Sequence, residues 1–464
     1  MAELHELGAA ELLDLYRRKA ASPVEATHAV LARIEAWEPH LHATYALDAE
    51  TALAQAEASQ ARWVRGEPAG PLDGVPVTIK ENIATQGVPS PLGTAATELV
   101  PAERDAPPAA RLRESGAVIL GKTTMPDYGM LSSGLSSFHP LTRNPWDLSK
   151  GPGGSSAGAG AAAAAGYGPL HLGTDIGGSV RLPAGWCGIF GLKPSLGRIP
   201  IHPPYAGRVA GPMTRSVEDA ALMMSVLARP DARDTMSLPA QPIAWDRLER
   251  DVAGLRIGLM LDAGYGLAVD PEIASAVEAA ARAFEQAGAI VESLPPFMTR
   301  AMADGMDDFW RMRSWLDIEA LGPERRARVL PFIVEWARGG AGLSGERVFK
   351  GYSQMGAMRE AAVAACAPYD AVLSPTAPIA AFAAELPTPT DDPARPLEHI
   401  AFTLPYNMSE QPAASVNCGY TSTGLPIGLQ IAGRRHDDLT VLQVAHAWER
   451  LRPTPRPWPE PPMG

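Results

Sequence analysis

The chain has 464 residues, 46% hydrophobic and 20% charged, with a net charge of −12 at neutral pH. That composition is globular rather than disordered, and the length suits one large domain or two to three smaller ones. The acidic balance disfavours nucleic acid and anionic membranes as partners, and the three scattered cysteines, Cys187, Cys366 and Cys418, argue against a disulfide framework or zinc site and for a cytoplasmic protein.

The N-terminus, MAELHELGAAELLDLYRRKAAS, lacks an apolar signal core and reads as an amphipathic helix with Leu7, Leu12, Leu13 and Leu15 near one face. An alanine-heavy surface helix follows from Asp48 to Arg65, broken by GEPAGPLDG. VPVTIK (75–80) reads as a short buried strand, and SGAVILGKTTM (115–125) as a helix end running into the strand AVILGKT. The Ala/Gly stretch 157–173 holds Pro169 and His171, so it reads as a closely packed helix and then a strand, not a membrane span. Helix and strand alternate again through LRIGLML, the helix Pro271 to Ala287, AIVESL, AVLSP and PIGLQIAG, before the closing helix DDLTVLQVAHAWERL. This alternation predicts an α/β protein around a central sheet. The segment 295–365 is helical and rich in Trp, Met and Arg, which fits either packing helices or a lid over an apolar cleft. The tail RPTPRPWPEPPMG reads as irregular.

Three features carry chemistry. Ser179 follows two glycines in GTDIGGSV, where successive backbone N–H groups of Ile176, Gly177, Gly178 and Ser179 can form a nest for an oxyanion. Ser155 sits in GPGGSSAG (151–158). That motif lacks the Gly-Lys-Ser/Thr ending of a phosphate loop. It does match G-x-S-x-G with Ser156 as the central serine, but RNPWDLSKGP before it cannot be the buried strand that a nucleophile elbow needs. The late histidines His399, His436 and His446 stand in unremarkable contexts. A third reading makes Ser155 a relay between a base and another serine. Lys80, at the end of an apolar run, supplies that base if burial keeps its amine neutral. Taken singly, a plain Gly-Gly turn and a lysine at a strand end are the simpler readings; the combination is far more specific.

GPGGSSAGAGAAAAAG, GTDIGGSVRLPA and CGIFGLKPS, preceded by GVPVTIKEN, together resemble the amidase signature family in order and spacing. TRNPWDLSKGPGG, GPMTRSVEDAALMMSVLA and STGLPIGLQIAG resemble its flanking blocks. The resemblance covers roughly residues 5–230, with the signature core at about 70–230, and a C-terminal core segment about 365–450; it is weak across the variable substrate-lid region, about 240–360. It implies a single large α/β domain with a central twisted mixed β-sheet flanked by helices. It implies a Ser–cisSer–Lys triad of Ser179 as nucleophile, Ser155 as bridging serine after a cis peptide from Gly154, and Lys80 as base. Ser156, Asp175 and Arg181 would orient these turns. No metal or cofactor is required. The chain departs from the pattern at Ala157 in GGSSAG and at Asn417 in SVNCG, neither a triad position.

The expected substrate is a small amide or carbamate. Met125, Tyr128, Gly129, Met130, Phe138 and Trp146, with Phe309, Trp310, Trp315, Phe332 and Trp336 from the middle segment, suggest an apolar or aryl pocket of the aryl acylamidase or urethane hydrolase kind. The expected protein is a monomer or homodimer without nucleic acid or membrane partners. One alternative is a glutamine amidotransferase component of a tRNA-dependent complex, an option that Arg311, Arg313, Asp307 and Asp308 leave open. The other is an esterase of the α/β-hydrolase type using Ser156.

Overall fold

The computed structural model describes residues 3–462. Three helices, α1 (Ala9–Arg17), α2 (Pro23–Leu41) and α3 (Ala49–Arg65), lead into the fold, with the short strand β1 (Thr44–Tyr45) between the last two. The N-terminal helix is shorter than its leucine pattern suggests. The buried carboxylate of Asp219 accepts the Ala9 N–H at 2.8 Å and fixes the helix start there.

The first half continues with β2 (Pro76–Lys80), α4 (Pro107–Glu114), β3 (Val118–Thr123), α5 (Ala157–Ala165), β4 (Leu170–Asp175), α6 (Arg181–Cys187), β5 (Phe190–Lys193), β6 (Val209–Thr214) and α7 (Val217–Leu227). The second half holds β7 (Arg256–Leu259), α8 (Pro271–Gln286), β8 (Ile290–Ser293), and then the helices α9 (Arg300–Glu319), α10 (Gly322–Arg326), α11 (Pro331–Arg338) and α12 (Gly345–Cys366). It closes with β9 (Ala371–Pro375), α13 (Leu404–Met408), β10 (Ala413–Tyr420), β11 (Pro426–Ala432) and α14 (Asp438–Leu451).

Among the described residues these strands form one 11-stranded sheet in the order β1-β3-β2-β4-β6-β5-β10-β11-β9-β7-β8. It is mixed: β3, β2 and β4 run parallel, β4 through β9 pair antiparallel, and β9, β7 and β8 are parallel again. The expected single domain with a helix-flanked mixed sheet is what the chain forms. The sequence reading did not anticipate β5, β6 and β10. Gly211 and Pro212 inside β6 are residues that ordinarily argue against a central strand.

Helix α5 explains the Ala/Gly run. All nine of its residues are fully buried, and its small side chains let neighbours approach closely on two sides. A Cβ at Gly158 would lie 2.2 Å from the carbonyl oxygen of Ala43, and one at Gly160 2.8 Å from Pro183 of α6. The proline-rich tail has no regular element up to Pro462, yet it is anchored. Trp458 packs on Trp146, with the Arg215 guanidinium over its ring, and Glu460 pairs with Arg33.

Candidate active site

The site forms where β2 and β4 end side by side. These parallel strands pair Ile79 with Leu172, so the residues just beyond, Lys80 and Thr174, emerge together at the sheet's C-terminal edge. Crevices at that edge are where open α/β sheets bind ligands. Lys80 is completely buried; its Nζ lies 2.8 Å from Ser155 Oγ and 3.5 Å from the carbonyl oxygen of Thr174. Burial, and then the positive charge of Arg208, hold its pKa well below the usual lysine range, against the opposing pull of Asp175 and Glu81. Burial thus favours the neutral amine, which sits within hydrogen-bond distance of a serine hydroxyl.

Ser155 enters α5 through a cis peptide from Gly154. The turn is closed to larger residues: a Cβ at Gly154 would fall 2.6 Å from the Leu131 carbonyl oxygen. Gly153 has φ +89°, and its Cβ would lie 2.8 Å from Pro183 Cα. Ser156 ties the two serine turns together. Its N–H donates to the Ser179 carbonyl at 3.1 Å; its Oγ donates to Thr174 O at 3.1 Å and accepts from Thr174 N at 3.3 Å. No histidine hydrogen-bonds to this hydroxyl, and His399, stacked on Trp186, has no hydrogen-bond partner among the described residues. Ser156 thus has a bracing geometry rather than that of an elbow nucleophile.

The second turn hangs on Asp175, the last residue of β4. Its carboxylate accepts the N–H groups of Gly178 (2.9 Å) and Val180 (3.0 Å), Nε and Nη2 of Arg181 (3.1 and 3.0 Å), and Nδ2 of Asn407 (2.9 Å). Burial works to raise the Asp175 pKa, but the Arg181 guanidinium and these donors overcome it and hold the carboxyl below the usual range. Arg181 is itself buried and spends its other N–H groups on Thr403 O (2.9 Å), Gln430 Oε1 (2.7 Å) and Asn407 Oδ1 (2.6 Å). Thr403 Oγ1 donates to Gly177 O at 2.6 Å and fills the space beside Gly178, where a Cβ would sit 2.6 Å away. This bonding corrects the sequence expectation for the nest. The Gly178 N–H is committed to Asp175, which leaves those of Ile176, Gly177 and Ser179 without a protein acceptor among the described residues.

Ser179 lies at the junction of two compartments. A small apolar cleft of about 50 Å³ is walled by Leu131, Ile176, Leu182, Trp310 and Ile400. A larger cavity of about 560 Å³ is lined by Met125, Tyr128, Tyr205, Ile318 and Ile333 together with Arg208, Arg313 and Asp317. Gly129, Met130, Ile176, Ser179 and Arg313 border both. The expected pocket residues Met125, Tyr128, Gly129, Met130 and Trp310 therefore converge on Ser179.

Trp315 does not. Helix α9 turns Trp310, Arg313, Ser314, Asp317 and Ile318 toward the compartments, the spacing of one helical face, and Trp315 falls outside that stripe beneath Arg326. Phe309 packs on Tyr352, Trp336 is buried and donates to Asp307, Phe138 packs on Tyr45, and Trp146 packs on Tyr420. None of these four, nor Phe332, lines either compartment. Sequence reasoning missed Arg208, Asp317, Thr403, Asn407 and Gln430. Asn407 and Gln430 carried a usable signal, being lone polar residues inside the apolar runs LPYNM and PIGLQIA. Arg208 carried none.

Among the described residues no group of three or more His, Cys, Asp or Glu side chains could hold a metal ion, and no helix is long and apolar enough to cross a membrane. The family model named Amidase matches residues 25–442, so the chain belongs to the amidase family, the amidase signature enzymes, which are hydrolases acting on carbon–nitrogen bonds of amides. Its curated relatives include a glutamyl-tRNA(Gln) amidotransferase subunit from Moorella thermoacetica, 37% identical over 492 residues and 99% of each chain. Among solved structures it is similar to a bacterial aryl acylamidase (31% identity, TM-score 0.89, 97% of each chain) and to 6-aminohexanoate cyclic dimer hydrolase (28%, 0.83, 98% of each). The expectation of a small-molecule enzyme with no nucleic acid partner runs against the first of these names.

Proposed function

We propose that the chain hydrolyses amides through an acyl-enzyme on Ser179. The observation that carries this reading is the fully buried Lys80 amine 2.8 Å from Ser155 Oγ. Neutral Lys80 takes the Ser155 proton while Ser155 takes that of Ser179, whose Oγ attacks the carbonyl carbon. The N–H groups of Ile176, Gly177 and Ser179 receive the developing oxyanion; losing one such donor costs about 3 kcal/mol in comparable sites. The proton returns through Ser155 to the leaving nitrogen as the C–N bond breaks. Water then attacks the ester carbonyl, giving up its proton to the same relay, and Ser179 is released with the acid product. Asp175, Arg181 and Ser156 act by holding the turns in register.

The apolar walls beside Ser179 and the likeness to an aryl acylamidase support an anilide or other aryl amide as substrate. A carbamate carbonyl would use the same donors. The identity to glutamyl-tRNA(Gln) amidotransferase proteins favours a second reading, in which the chain releases ammonia from glutamine within a complex. The test is a panel of aliphatic amides, anilides, carbamates and glutamine given to the purified chain. Anilide turnover that disappears in Ser179→Ala, with an unchanged circular dichroism spectrum, supports the first reading. Wild-type turnover in that variant overturns it, and glutamine hydrolysis confined to preparations with added partner proteins favours the second.

A further inference from the structure

The larger cavity contains two arginines that no carboxylate neutralises. Arg208 and Arg313 both line it, and neither forms an ion pair among the described residues. Arg208 donates one N–H to Pro203 O at 3.1 Å. The Arg313 guanidinium lies over the Tyr205 ring, 4.2 Å from its centroid. Asp317, one turn further along α9, borders the same cavity without pairing with either. By contrast Arg311, two residues from Arg313, is tied to Asp307 at 2.6 Å. Arg208 feels the charge of Arg313 and has its pKa lowered to about 10, chiefly by burial.

Arg208 is half-buried and Arg313 exposed, and with Asp317 paired to neither, an added anion between the two like charges would be favoured. The planar guanidinium fork matches a carboxylate better than other side chains do. The cavity also has volume to spare, since about 560 Å³ far exceeds a small acyl group. We propose that Arg208 and Arg313 bind a carboxylate carried by the substrate, remote from the scissile amide, so that the preferred substrate is an amide with an apolar middle and an anionic end. This rests on the amide-hydrolysis reading above and adds its substrate class.

A matched pair of 4-nitroanilides tests it: one with an unbranched acyl chain ending in a carboxylate, the other ending in the methyl ester. The wild-type chain should favour the anion in kcat/KM. Arg313→Met should lower the anion-to-ester ratio by about 10- to 100-fold, the loss of a charged hydrogen bond, mainly through KM. Arg313 is exposed, so this variant should fold. Arg208→Met should lower the same ratio, and Asp317→Asn should raise it. A wild-type ratio near one, or a ratio unmoved by Arg313→Met, overturns the proposal while leaving amide hydrolysis intact. Calorimetry on Ser179→Ala separates the two ideas. If wild type cleaves neither compound yet the variant binds the carboxylate more tightly than the ester, the reaction falls and the anion subsite stands. Equal binding of the two overturns the subsite.

Discussion

Residues 151–200 and the helices α9 to α12 flank the same serine but are built differently. In the first stretch only Ile176, Ser179 and Leu196 are partly exposed. Backbone touches backbone there, and glycine and alanine are what fit. Of the helices, α9 and α11 supply compartment-lining residues (Trp310, Arg313, Ser314, Asp317, Ile318 and Ile333) while α12 lies outside both, and the group leaves Leu316, Phe349 and Tyr352 about half exposed or more. On the proposed function, chemistry falls where every atom has a neighbour, and selectivity on a face that can change without disturbing the rest.

The largest effect that could break this division is on the chemical step. Lys80→Met should lower kcat for a neutral anilide by about 10²- to 10⁴-fold, the usual contribution of a positioned base. Trp315→Ala, on the helix face turned away, should leave kcat within about twofold. Comparable losses in both would erase the distinction. Next in size is the support beneath the Ser179 turn. Arg181→Met strands the buried Asp175 carboxylate and should cost about 3 to 5 kcal/mol in urea unfolding. Arg347→Met removes an exposed partner of Asp308 and should leave the unfolding midpoint nearly unchanged.

The difference between the regions also explains what the sequence disclosed. Lys80, Ser155 and Ser179 were legible as candidates because glycine-rich turns and a strand end restrict residue choice over short spans, whereas Ser156, Asp175 and Arg181 came as supporting residues only from the family resemblance. The central sheet was legible from helix–strand alternation and its mixed character from the family resemblance, although β6 hid behind Gly211 and Pro212. The helical face was not legible. Trp310 and Trp315 look alike in sequence, and only the rotation of α9 separates them. Arg208 was out of reach for a different reason. Its charge acts on Lys80 and Arg313 from a distant stretch of chain, and no local pattern announces that coupling.

Two smaller predictions sharpen the contrast. Gly158→Ala places a Cβ 2.2 Å from the backbone oxygen of Ala43, which no rotamer change relieves, and should cost about 1 to 3 kcal/mol of stability as overpacking does. The pH profile should respond to Arg208. Protonated Lys80 cannot accept a proton, so activity on a neutral anilide rises with pH through the Lys80 pKa, which lies below the ordinary lysine range. Arg208 disfavours the protonated amine. Arg208→Met should therefore raise that pKa and move the rising limb to higher pH, lowering activity on its acidic side. An unmoved limb would show that Arg208 does not act on Lys80, and movement to lower pH would contradict the sign of the coupling.

The smallest effect belongs to Gly356, in the middle of α12. It is exposed, its φ is not positive, and a Cβ there meets nothing within 4 Å. Alanine lowers the entropy of the unfolded chain and favours the helix, so Gly356→Ala should stabilise the protein by about 0.5 to 1 kcal/mol. Turnover should be unchanged, since the residue faces away from both compartments. The same chemical change, one added methyl group, thus has opposite signs at Gly158 and Gly356. A destabilised or slower Gly356→Ala would mean that α12 is held as closely as α5. The helices would then belong to the rigid core rather than to a replaceable wall of the substrate site.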